Sequence, residues 1–169
     1  SDGSFFINGL FYLKDSTKAS SLAKISPNGT LDRTFRVPKL SHSVHGITEG
    51  YDIQSTDDGG YLFSGLFNRF NGVPKNYIVK LDSLGNLEPQ FFTGQGPDSN
   101  NLAGNHYPVF KILKSKLNGY YLHGNFFKWN GNPSQPIIRL TDLSTGITEL
   151  RSPVRNELKI YPNPSEGLV

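Results

Sequence analysis

The chain has 169 residues with 18 Gly, 11 Pro, 12 Phe, 8 Tyr and one Trp, neither Cys nor Met, 18% charged residues and a formal charge of +3. This composition disfavours a helix bundle and suits a turn-rich β protein. The lack of Cys excludes a disulfide framework, a thiol nucleophile and a zinc–thiolate site. The small, dispersed charge argues against a nucleic-acid footprint, and no apolar run approaches the roughly 20 residues of a membrane-spanning helix.

The chain opens on Ser1-Asp2-Gly3, which has neither the basic nor the apolar region of a signal peptide. With no Met anywhere, the expectation is an internal piece of a longer protein. The first predicted strand covers residues 4–11, and Leu22-Ala23-Lys24-Ile25 forms a second, ended by a turn at Asn28-Gly29 and closed by Leu31 and Phe35. His42 and His45 follow in a loop; two imidazoles without an acidic partner read as polar loop residues, not as a metal site. Alternating residues 51–55 predict a strand running into Asp57-Asp58-Gly59-Gly60, a turn that lacks the alternating acids and terminal Glu of an EF-type calcium loop. An aromatic strand over 61–67, a loop ending in Asn71-Gly72, a strand over 78–81 and a Gly85 turn with Phe91 complete the unit. The order then repeats through residues 110–114, 120–126, Asn130-Gly131 and 137–140, with His106 and His123 near strand ends.

The repetition is regular. Gly9, Gly65 and Gly124 follow at steps of 56 and 59 residues, and so do Phe11, Phe67 and Phe126; Gly29 and Gly85 keep the step of 56. A Gly inside an apolar strand marks a bulge or a close backbone approach, and the Phe two residues later is expected to fill the space between sheets. A phosphate-cradling role for these glycines needs a strand-to-helix transition, and no segment has a 3.6-residue period. Each unit forms a three- or four-stranded antiparallel sheet that cannot bury both faces alone, so the predicted fold is all-β. It is an incomplete β-propeller of about three antiparallel blades over residues 1–150, in units of about 1–50, 51–108 and 109–150, with more blades expected upstream of Ser1.

Lys111, Lys114 and Lys116 read as a solvated strand edge. Trp129, beside Asn130-Gly131, reads as packing between blades before it reads as a sugar-stacking ring. There is no Gly-x-Ser-x-Gly elbow and no His-Glu-x-x-His, and the aligned positions carry Gly, Phe and Asn. No catalytic residue, metal site or cofactor is therefore expected, and the reading is of a non-enzyme. The alternative is an extracellular polysaccharide-active enzyme with acids converging at the propeller channel.

The blocks Lys24-Ile25-Ser26-Pro27-Asn28-Gly29-Thr30-Leu31-Asp32-Arg33-Thr34-Phe35 and Asp58-Gly59-Gly60-Tyr61-Leu62-Phe63-Ser64-Gly65-Leu66-Phe67 resemble the bacterial delta-60 repeat, a β-propeller family without an established activity. The first unit departs from that pattern with Lys14-Asp15-Ser16-Thr17 in its hairpin, and the third lacks the Leu-Asp-x-x-Phe close.

Residues 151–156 read as a linker, and residues 157–169 begin a new element. Leu158 and Ile160 suit a strand ending at Pro162; Pro162 and Pro164 bracket Asn163 in a rigid turn, and Gly167 releases the chain toward a next strand. Tyr161-Pro162-Asn163-Pro164 with Gly167 resembles the opening of the C-terminal sorting domain of type IX secretion cargo in Bacteroidota. That resemblance implies the first strand and turn of a β-sandwich, export across the outer membrane, and recognition of the tail by the type IX translocon and its outer-membrane shuttle protein. The whole is expected to be a secreted or cell-surface cargo protein, engaged in adhesion or in binding a surface glycan or protein.

Overall fold

In the computed structural model the described residues are 3–13, 19–43, 46, 48–91, 96–98, 109–116 and 119–141. They hold thirteen strands and no helix: β1 (Phe5–Tyr12), β2 (Ala19–Ile25), β3 (Leu40–Ser41), β4 (Glu49–Ser55), β5 (Tyr61–Leu66), β6 (Arg69–Phe70), β7 (Val73–Pro74), β8 (Ile78–Leu81), β9 (Lys111–Lys114), β10 (Tyr120–His123), β11 (Lys128–Trp129), β12 (Asn132–Pro133) and β13 (Ile137–Leu140). Three main antiparallel sheets result: β1-β2, then β4-β5-β8, then β9-β10-β13.

The repeat is visible bond by bond. In the closing turns, Asp32 N–H donates to the Lys24 carbonyl and Glu88 N–H to the Lys80 carbonyl, both at 2.9 Å. Thr56 N–H donates to Gly60 O, and Ser115 N–H to Gly119 O, again both at 2.9 Å. Gly65 N–H donates to Tyr77 O, and Gly124 N–H to Pro136 O, each at 3.0 Å. Equivalent residues thus spend the same backbone groups on the same partners, as a sequence repeat that codes one local structure requires.

The Asn-Gly segments are small hairpins, not plain loops. Asn71 and Gly72 have φ of 49° and 84°, Asn130 and Gly131 of 50° and 78°, the left-handed pair that a two-residue turn between twisted strands needs. The segment before each unit adds to its hairpin: β3 pairs with β6, and Pro97 bridges Trp129. The aromatic strands are shorter than the sequence suggests. β5 ends at Leu66 and β10 at His123, while the Gly65 and Gly124 N–H groups carry the registers with β8 and β13 one residue further, onto the Tyr77 and Pro136 carbonyls.

Alternation divides each sheet into two faces. In the middle sheet Phe63 and Val79 point to the first sheet, where a core joins them to Leu22, Phe35, Phe67, Phe70 and Leu81, with Phe6 and Tyr61 at its margin. Leu62 and Ile78 point the other way, into a core with Val109, Ile112, Tyr120, Leu122, Phe126, Trp129 and Leu140. Phe35, which closes the first unit, belongs to the first core, and Phe91, which closes the second, to the next.

Candidate functional site

The repeat-defining residues have distinct placements. At Gly9 the β1–β2 register slips by one residue between Asn8 and Phe11, and Gly9 itself has φ of 136°, a conformation that L side chains rarely adopt. The bulge keeps Phe5, Ile7, Leu10 and Tyr12 on one face of β1, since without the extra residue Leu10 and Tyr12 would turn to the other side. Gly65 lies opposite Gly50, and a Cβ on it would strike the Glu49 carbonyl. Phe67 and Phe126 are fully buried, one in each core, and Gly124, two residues before Phe126, has its N–H on Pro136 O. Phe11 is half-buried opposite Ser20. Tyr161, Pro162, Asn163, Pro164 and Gly167 lie outside the described residues, as do His45 and His106.

Polar chemistry gathers at the seam between the middle and third sheets. Asp52, on β4, accepts the Ile112 N–H at 2.8 Å and pairs with the Lys111 ammonium at 3.0 Å. Five residues along the chain, Asp57 pairs with Lys114, and Tyr120 Oη reaches the Ser55 carbonyl at 3.5 Å. Lys111 and Lys114 therefore tie the third sheet to the second instead of lining a free edge. The bond to Asp57 raises the Lys114 pKa, and burial, aided by the nearby Asp57 charge, raises that of the Tyr120 phenol. A shallow groove at the end of this seam is lined by Asp57, Lys114, Ser115 and Lys116. The Asp57 carboxylate in this lining is bound to Lys114.

Lys80 is the one charged side chain buried among the described residues, 3% exposed, and it is held between the Asp58 and Glu88 carboxylates. Burial pushes the Asp58 carboxyl up, but hydrogen bonds from Lys80, Thr56 and the Gly60 N–H outweigh it and bring the pKa to about 2. Burial pushes Lys80 down, and its two carboxylates outweigh that and raise it. This centre was not singled out by sequence, although the repeat step signals it: Lys24 pairs with Asp32 at 3.5 Å, as Lys80 pairs with Glu88 at 2.6 Å. At the third position stands Arg139, its guanidinium carbon 5.8 Å from the Tyr121 ring centroid. Asp58 thus serves its own turn and Lys80.

The remaining sequence candidates are also absorbed by structure. His42 Nε2 lies 3.3 Å from Tyr77 Oη, and His123 Nδ1 lies 3.1 Å from the Pro136 carbonyl. Trp129 is 1% exposed and packs on Phe126 with ring centroids 5.7 Å apart, so no sugar can stack on its face. Among the described residues no group of three or more His, Asp or Glu side chains could hold a metal ion.

What stays open is apolar. Phe5, Ile7, Leu10 and Tyr12 on the first sheet are 42–69% exposed, and Leu113, Tyr121 and Ile137 on the third are 40–56% exposed. Sheets stacked through recurrent faces define a repeat scaffold. Residues 56–91 match the family described as Domain of unknown function (DUF5122) beta-propeller, a match over part of the chain that supports a propeller-repeat protein. Neither the curated proteins nor the solved structures contain a match to it.

Proposed function

We propose that this chain is the last part of a secreted or surface-displayed propeller, about three blades followed by the start of a sorting domain. It is exported as type IX cargo and works by binding, with no chemical step. The observation that carries the reading is Tyr161-Pro162-Asn163-Pro164 with Gly167, directly after the repeats and a short linker. In this reading the translocon and its shuttle protein recognise the tail by shape, and the propeller presents a binding surface to a glycan or protein outside the cell. The use of Asp52, Asp57, Asp58 and Glu88 in ion pairs within and between sheets supports a scaffold over a hydrolase.

The test is a reporter followed by residues 151 to the protein's native end, expressed in a host with the type IX machinery. Surface or medium reporter is expected, falling to the level of a tail-less control when Pro162, Asn163 and Pro164 are replaced by Ala. Unchanged export of that variant overturns the reading.

A further inference from the structure

We propose that the turn Asn28-Gly29-Thr30 is a site of self-modification, at which the Asn28 carboxamide becomes a carboxylate or an isoaspartyl link with water as the only co-reactant. The inference rests on this turn and not on the export reading.

The turn brings the reacting groups together. Gly29 N–H donates to the Ser26 carbonyl at 2.9 Å and Gly29 has φ of 83°, which reverses the chain behind Pro27. Asn28 Oδ1 accepts the Thr30 N–H at 3.1 Å and the Thr30 hydroxyl at 2.8 Å. The ring closed by that N–H bond contains both Asn28 Cγ and the Gly29 nitrogen. Residues 27–30 are exposed, so hydroxide reaches the Gly29 N–H when its bond to Ser26 opens. The deprotonated nitrogen bonds to Cγ, and negative charge builds on Oδ1, where the two Thr30 donors already point. The Cγ–Nδ2 bond then breaks, and Nδ2 takes a proton from water and leaves as ammonia. Water opens the resulting cyclic imide at either carbonyl, leaving Asp or an isoaspartyl link. Gly29 sets no side chain in the way of the attack.

The hairpin Asn-Gly pairs hold their carboxamides differently. Asn71 Oδ1 accepts the Lys39 N–H at 2.8 Å, and Asn130 Oδ1 the Gly96 N–H at 2.7 Å. The Asn71 and Asn130 N–H groups return to the Lys39 and Gly96 carbonyls, both at 2.8 Å. Each carboxamide is clasped by two bonds to a segment distant in sequence, and must give up that pairing before Gly72 or Gly131 can attack it. The outward placement of Asn28 does not depend on what precedes residue 1. Leu84 holds the same position one step of 56 later. It is 50% exposed although the preceding unit lies against its turn, with the Arg36 N–H on the Leu84 carbonyl at 2.8 Å.

The test follows the folded full chain over time in mildly alkaline buffer. Peptide masses report the change of amide to acid at each Asn-Gly pair, and labelling by an isoaspartyl methyltransferase reports the isomerised link. Asn28 should convert at least ~10-fold faster than Asn71 and Asn130, a modest gain for groups already oriented. Thr30→Val, which keeps the N–H and removes the hydroxyl, should slow Asn28 by ~3- to 10-fold, and Thr30→Ser should restore the rate. In concentrated urea, where the turn and the hairpins are gone, the three pairs should approach one rate and Thr30→Val should lose its effect. Conversion of Asn71 or Asn130 as fast as Asn28 in the folded chain overturns the proposal. So does a Thr30→Val rate equal to the parent's, or an Asn28 lead that persists undiminished in urea.

Discussion

Lys80 shows how one buried charge is tolerated. An ammonium removed from water needs partners, and Asp58 and Glu88 supply them from the turn before β5 and the turn after β8. Replacing both with Asn and Gln leaves the charge stranded. Because the two carboxylates are themselves 52% and 37% exposed, the expected loss is discounted to ~1–3 kcal/mol in urea unfolding. Lys80→Met, which removes the charge instead of orphaning it, should cost less. Asp58 also sets an acid limit. Its folded pKa of about 2 lies below the ordinary 3.8, so its contribution is fully present above 3.8 and is lost as pH falls through about 2. Thermal melts across that window should show a decline that Asp58→Asn flattens. Sequence pattern alone passes over Lys80, because an exposed-type residue in an apolar strand shows its burial only when the neighbouring sheet is in place.

At the scale of elements, the hairpins were the most legible feature. Asn71-Gly72 and Asn130-Gly131 signal tight turns through their own backbone preferences, and both adopt the positive φ values expected. Gly72→Ala forces a Cβ into that conformation and should cost ~1–2 kcal/mol, read as a lower urea midpoint by the fluorescence of Trp129, the single Trp of the chain. The third strand of each hairpin was not legible. β3 pairs with β6 across 27 intervening residues or more, and no local signal announces that pairing. The Gly9 bulge was readable as an irregularity. Its consequence, an unbroken apolar face from Phe5 to Tyr12, needed the observed register.

At the scale of the molecule, among the described residues the middle sheet is covered on both sides and the outer two on one. Leu62, Phe63, Ser64, Ile78, Val79, Lys80 and Leu81 are all buried, whereas β1 has no fully buried residue. Amide hydrogen exchange should accordingly be slowest in β5 and β8 and faster in β1; equal protection of β1 would contradict this gradient. Read alone, the sequence determines the all-β class, the repeat step, the turns and the inward Phe67 and Phe126, because alternation, Gly conformations and Asn-Gly turns act over a few residues. The tail motif is likewise a local signal. Only the tertiary structure decides what crosses between units: Asp52 capping the Ile112 N–H sixty residues away, Lys114 on Asp57, and Trp129 in one core with Leu62 and Ile78 of the middle sheet. Those contacts depend on how one twisted sheet lies on the next, a geometry set by the summed packing of whole faces and carried by no single segment.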